Sequence, residues 1–241
     1  MSVNMIDVQS RHWVQPISGG ISVPLLTELR RYLDNVQEER QALALSAREE
    51  NGLQLGLGTD ALRKDPRWYE VWKEISSELL ALIHPHTWVV FPVQVRLIQS
   101  ENHLVPWHQD VGYQRILGKS GHQQIITTWI PMNEYPSRHS TLQFALAELG
   151  ELAHSPLHGH GAGLDCQEWP FVKHYDLASG DCLLFGDLTI HRTFVPERCS
   201  VSRQSLEFRL VRPEDAIPGK DYFSIEDQVF VRTDGTRRVF P

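Results

Sequence analysis

The chain is 241 residues long, 41% of them hydrophobic, with a formal net charge of −7 when histidine is neutral; that length and apolar content suit one domain with a sizeable core. The acidic balance, with no long Lys/Arg run, argues against nucleic acid as a partner, and no stretch reaches the ~18 apolar residues of a membrane span. Met1 to Gln15 carry no apolar secretory segment, and Cys166, Cys182 and Cys199 lack C-x-x-C spacing, which gives neither a disulfide framework nor a zinc ribbon and points to a reducing cytoplasm.

In chain order, residues 1–88 are mainly helical. Ser22 is placed to cap a helix with Pro24 in its first turn, and Leu25, Leu26, Leu29, Tyr32, Leu33 and Val36 recur at helical spacing. Asn51 to Thr59 is Gly-rich and predicts a loop or short strand. Asp65-Pro66 opens a second helical stripe of Trp68, Val71, Trp72, Ile75, Leu79, Leu82 and Ile83 that stops near Pro85. His84 and His86 belong to that helix end.

From Trp88 the apolar period becomes two. Gln94 and Arg96 share one strand face, and Val93, Val95 and Leu97 the other. Thr127 and Trp129 likewise share a face, and Cys182 to Phe185 gives a further strand. In the last long strand, Arg203, Ser205, Glu207 and Arg209 alternate with Gln204, Leu206, Phe208 and Leu210. If helices back the apolar side, the polar row faces a wet interior, as in a ligand-holding jelly roll. The expected fold is therefore mainly β with flanking helices around a double-stranded β-helix, jelly-roll or cupin-like core. It forms one domain: helical support over 1–88, the core over 89–212 and a C-terminal extension over 213–241. In that extension Pro213 to Asp221 is a polar turn and Thr233 to Thr236 a hairpin turn.

The chemistry concentrates in Trp107-His108-Gln109-Asp110 and in His191. A His and an Asp two apart on a strand share a face, and a distant His completes a two-His, one-carboxylate set that suits Fe(II) and leaves three positions open. Twelve residues past His191 come Arg203 and then Ser205. A guanidinium fork with a hydroxyl on the same face suits the far carboxylate of 2-oxoglutarate. Gln94 and Arg96 lie on the strand feeding the metal loop, where an inward Arg needs an anionic partner: 2-oxoglutarate, the substrate or Glu101. Thr127 could bond a carboxylate through its hydroxyl. Arg209 is a weaker candidate for the same carboxylate as Arg203, with a structural ion pair as the preferred reading. Tyr113, Gln109, Trp107 and His122 are candidates for the substrate side. His154, His158 and His160, with no carboxylate or thiolate at ligand spacing among them, read as a mobile lid loop in preference to a second metal site.

Pro106 to Asp110, Tyr113, Trp129, Gly180-Asp181, His191 and Arg203 together resemble the phytanoyl-CoA dioxygenase-like branch of the Fe(II)/2-oxoglutarate-dependent oxygenases. The resemblance spans roughly residues 89 to 212. It departs from the family pattern at Arg138 to Phe144, which lacks the usual Asn-Gly and Pro-Gly, and at Gln99-Ser100-Glu101, where a Lys is sometimes found. The resemblance implies Fe(II) on His108, Asp110 and His191. It implies 2-oxoglutarate against Arg203, Ser205 and Trp129, and dioxygen as the second cosubstrate. It further implies hydroxylation of an unactivated C–H bond, with release of succinate and CO2; the small size and acidic charge favour a small metabolite as substrate, and Arg96 one that bears a carboxylate or phosphate. Related halogenases lack the carboxylate ligand, so Asp110 disfavours halogenation. The alternatives are a metal-dependent jelly-roll isomerase, a cosubstrate-independent dioxygenase, or a non-catalytic metal-containing binding module. Arg203 and Ser205 would have no work in the first two, and a structural metal would fill its fourth position.

Overall fold

The computed structural model describes residues 11–40, 58–112, 124–157, 161–164, 168–216, 219–232 and 236–239. The Gly-rich run up to residue 57, the turn at 233–235, His158, His160 and Cys166 lie outside the described residues. No helix among the described residues is long and apolar enough to cross a membrane.

The helical layer begins with the helix Val23–Arg40, whose Leu26, Leu29 and Leu33 are buried. The second stripe departs from the single helix that its spacing predicts. Asp65 caps a 3-10 segment, Pro66–Lys73, by accepting from the Arg67 N–H at 3.0 Å. The chain then straightens so that Ile75 bridges Ile21 and the Ser76 N–H reaches the Gly20 carbonyl at 3.0 Å. Only after that break does Ser76 cap the helix Ser77–Ile83, its hydroxyl accepting from the Leu79 N–H at 3.1 Å. Apolar periodicity survives the break because Trp68, Trp72, Leu79 and Ile83 all still enter one core. His84 ends that helix, as expected, and donates its N–H to the Leu80 carbonyl.

Two antiparallel sheets face each other. The larger runs in the order β1 (Val14–Ile17), β9 (Cys182–Gly186), β4 (Ile126–Pro131), β11 (Arg203–Val211), β2 (Trp88–Phe91), β12 (Asp221–Ser224), β13 (Val229–Val231) and β14 (Arg237–Val239), with β3 (Gln94–Ile98) also pairing β11. The smaller contains β10 (His191–Phe194), β5 (Thr141–Ala145) and β8 (Val172–His174), and β6 (Ser155–Leu157) pairs β7 (Gly161–Gly163) apart from both. This is the jelly roll that the alternating strands predict. Thr141–Ala145 and Asp221–Ser224 are among the strands that were not foreseen. Thr141–Ala145 pairs with β10, and Asp221–Ser224 pairs with β2, so the extension after residue 213 continues the larger sheet.

Alternation along β11 divides the molecule. Leu206, Phe208 and Leu210 pack with Val95, Leu97, Ile126 and Ile130 against the helical layer in the main core. Arg203, Ser205, Glu207 and Arg209 lie on the opposite face, where Trp129, Leu183 and Phe185 pack against Leu142 and Phe144 of the smaller sheet. Phe208 is fully buried and meets Trp72 edge to face at 5.2 Å, and Tyr69 at 5.8 Å. Phe208→Ala should therefore cost about 3–5 kcal/mol of stability in urea unfolding, the usual range for emptying an aromatic core site. A loss below about 1 kcal/mol would contradict this packing.

Candidate metal centre

His108 forms an isolated antiparallel bridge with His191, the first residue of β10. The two residues exchange both backbone hydrogen bonds, each 2.9 Å. Directly opposed residues send their side chains to the same face, and the two rings stand with centroids 4.1 Å apart. Each ring is oriented by the same device: Nδ1 of His108 is 2.8 Å from the Pro106 carbonyl, and Nδ1 of His191 is 3.0 Å from the Thr189 carbonyl. A carbonyl only accepts, so each Nδ1 carries the proton and each Nε2 presents its lone pair, the tautomer a metal needs. Burial, reinforced by the neighbouring His191, holds His108 well below the ordinary histidine value. The imidazole is thus neutral.

Asp110 completes the set, with one ligand atom from each of His108, Asp110 and His191 within 4.8 Å of the others, and all three side chains buried. Its two oxygens are distinguished by their partners. The Thr127 hydroxyl donates to Oδ2 at 2.5 Å, while Oδ1 accepts from Arg209 Nη2 at 3.1 Å and lies 3.9 Å from His108 Nε2. Burial alone would push this carboxyl up. Arg209, the two imidazoles and the Thr127 hydroxyl outweigh burial and hold it well below the usual carboxylate range. The site therefore offers two imidazoles and an anion, a donor set that fits Fe(II) and leaves positions for exchangeable ligands.

Arg203 begins β11 on the same interior. It is 2% exposed, its Nη1 donates to the Thr141 carbonyl at 3.1 Å, and its guanidinium carbon is 5.2 Å from the Trp129 ring centroid. Among the described residues its Nε has no hydrogen-bond partner, nor do the buried Ser205 Oγ, Thr193 Oγ1 and Trp129 Nε1. Burial pulls the guanidinium down to about 10 even though Glu207 pushes the other way. A buried cation with an unused donor beside an unused hydroxyl is a costly arrangement that a carboxylate relieves. Trp129 connects this end to the metal end. It packs with Phe144 and Phe185, whose rings lie 5.9 and 4.7 Å from His191. Asp187, a carboxylate on the segment before His191, is taken by Arg11, which donates to both of its oxygens.

Several sequence-predicted roles change. Thr127, expected on a cosubstrate carboxylate, is turned to Asp110 because it is the register partner of Arg209, so both side chains meet the same ligand. The partner of Arg96 is Glu207, at 3.3 Å, and not Glu101, so its charge is already answered. Gln94, with its amide oriented to satisfy its neighbours, donates to Glu207 Oε2 at 3.0 Å and accepts from Arg209 Nη1 at 2.9 Å. Gln109 is fully buried, and its amide is used on the Gly150 and Leu188 carbonyls and the Leu152 N–H, so it braces the loop and does not line a substrate cavity. Trp107 packs with Ala145 and Ile190, the residues that alternate with Phe144 and His191, and so faces away from the triad. Tyr113 and His122 lie outside the described residues. Arg209 makes the ion pair expected of it, and the partner is the ligand Asp110, at 3.1 Å. Its signal was there in the sequence, since it shares the strand face of Arg203 and Ser205.

No protein-family model matches the chain, and no curated protein matches it. Solved structures do. The epimerase SnoN, in complex with Fe3+, alpha ketoglutarate and nogalamycin RO, is similar with a TM-score of 0.58 and 13% identity, covering 90% of this chain and 84% of that one. EvdO2 from Micromonospora carbonacea var. aurantiaca, complexed with 2-oxoglutarate, gives 0.57 at 13% identity over 88% of this chain and 92% of that one. SnoK, described as a non-heme alpha ketoglutarate dependent carbocyclase from nogalamycin biosynthesis, gives 0.55 at 12% identity over 92% and 86%. At such identities the likeness establishes the fold.

The Thr127 hydroxyl fixes which Asp110 oxygen faces the histidines. Thr127→Val, which keeps the shape and removes the donor, should weaken Co(II) binding about 10- to 100-fold, the usual cost of losing a partner behind a metal ligand. Optical titration with Co(II) measures it, and an unchanged affinity would remove Thr127 from the centre.

Proposed function

We propose that this chain is an Fe(II)/2-oxoglutarate-dependent dioxygenase of the phytanoyl-CoA dioxygenase-like kind that hydroxylates an unactivated C–H bond of a small metabolite. One observation carries the reading: a three-ligand set and a buried arginine with an unused donor, next to an unpartnered serine hydroxyl, lie on one interior of a jelly roll. A metal-dependent isomerase or a structural metal site has no use for the second half of that arrangement.

His108, Asp110 and His191 would hold the iron, and Arg203 with Ser205 the far carboxylate of 2-oxoglutarate. When bound, Fe(II) and 2-oxoglutarate supply the activation of dioxygen, with 2-oxoglutarate converted to succinate and CO2. The protein contributes orientation and exclusion. The Nδ1 hydrogen bonds keep both histidine lone pairs aimed inward. Thr127 and Arg209 keep Asp110 ionised and in one rotamer. Trp129, Phe144, Phe185 and Leu183 wall the space with apolar surface, which keeps bulk water from a reactive centre.

SnoN and EvdO2 are described with 2-oxoglutarate or alpha ketoglutarate bound, which agrees with this cosubstrate. Because SnoN and SnoK are described as an epimerase and a carbocyclase, product analysis must accompany any turnover measurement. Arg96, already answered by Glu207, gives no reason to restrict the metabolite to anions.

Arg203→Ala should raise the 2-oxoglutarate concentration for half-maximal succinate formation about a hundredfold, the equivalent of two charge-assisted hydrogen bonds at roughly 1.5 kcal/mol each. Iron affinity should change little. Steady-state succinate release against 2-oxoglutarate concentration gives the answer, and an unchanged dependence would take Arg203 out of the cosubstrate site.

A further inference from the structure

Between β5 and β8 the chain leaves the smaller sheet and returns over the outside of the metal loop. Among its described residues, four hydrogen bonds tie it to residues 107 and 109. Gln109 Nε2 donates to the Gly150 carbonyl at 3.2 Å, and the Leu152 N–H donates to Gln109 Oε1 at 2.9 Å. The Gln109 N–H donates to His154 Nε2 at 2.9 Å, and the Leu164 N–H to the Trp107 carbonyl at 2.8 Å. Leu152, Leu164 and Trp169 pack with Trp107 beneath this covering. The expectation of a mobile lid at His154 does not hold, since both ring nitrogens are engaged: Nδ1 is 2.9 Å from the Leu152 carbonyl, which fixes Nε2 as the acceptor.

The donor that His154 receives is the backbone N–H lying between two of the three ligands, His108 and Asp110. The ring also lies flat against the next turn. A Cβ added at Gly112 would come within 2.5 Å of His154 ring atoms, so the close approach needs glycine there. From the other side the same loop is held by the His108–His191 bridge, by the Val111 N–H on the Asp187 carbonyl at 3.1 Å, and by Gln109 Nε2 on the Leu188 carbonyl at 2.8 Å.

We propose that His154 is a positioning residue for the metal centre. Latched through Gln109, the strap of residues 150–154 holds the backbone between the ligands in its ligating conformation, and Gly112 is the space that lets the latch close. The inference rests on the metal reading given above, and goes beyond it by making a residue that touches no metal a determinant of metal affinity.

Co(II) titrated into the metal-free protein tests it, alongside hydrogen–deuterium exchange at the Gln109 amide and thermal unfolding. His154→Ala and Gly112→Ala should each weaken Co(II) binding about 10- to 100-fold and speed exchange at Gln109, with little change in melting temperature. His154→Gln, which returns an acceptor near the position of Nε2, should recover most of the affinity. Tight Co(II) binding by the wild type that His154→Ala leaves unchanged would overturn the latch, as would undiminished protection of the Gln109 amide in that variant. A wild type that binds no Co(II) would instead sink the metal centre, and the positioning role with it.

Discussion

The backbone bridge between His108 and His191 is the constraint from which the rest of the site follows. Two residues 83 positions apart exchange both main-chain hydrogen bonds, so their side chains are placed by sheet geometry and not by long flexible connections. The next step uses the same currency. Each ring donates Nδ1–H to a carbonyl two residues earlier in its own segment, which sets tautomer and orientation together. With the rings fixed, the chain leaves the bridge and turns, the Gly112 N–H reaching the Gln109 carbonyl at 3.0 Å, so that Asp110 opens a helical turn and is held beside His108 by Thr127 and Arg209.

Electrostatics decide what such an interior can hold. Arg96, Arg203 and Arg209 project inward with Glu207 and Asp110, and burying any of these alone would be expensive. Arg96 is answered by Glu207, and Arg209 by Asp110 and Gln94. Arg203 differs. It has a backbone carbonyl on one nitrogen, an aromatic face below and an unpartnered Nε. That residual demand is what supports the proposal of an anionic ligand at Arg203.

Much of this was legible in the sequence, and the parts that were not share a cause. The alternation on Arg203–Val211 reports one wet and one apolar face directly, because a strand's period is fixed at two. The ligand types and their order announce the metal chemistry. The role of Thr127 was hidden because it depends on its register opposite Arg209, which no local pattern encodes. Gln109 was misjudged for a similar reason: its partners lie 41, 43 and 79 residues away. The break after Lys73 comes from the Ile21–Ile75 bridge, a tertiary contact that overrides an otherwise continuous helical stripe.

The central claim is that the triad and Arg203 together bind one keto acid. Anaerobic optical titration of the Fe(II)-loaded protein with 2-oxoglutarate tests it most directly. The account predicts a visible metal-to-ligand charge-transfer band that saturates with 2-oxoglutarate and needs far more of it when Arg203 is alanine. Bound iron that gives no such band at saturating 2-oxoglutarate would contradict it.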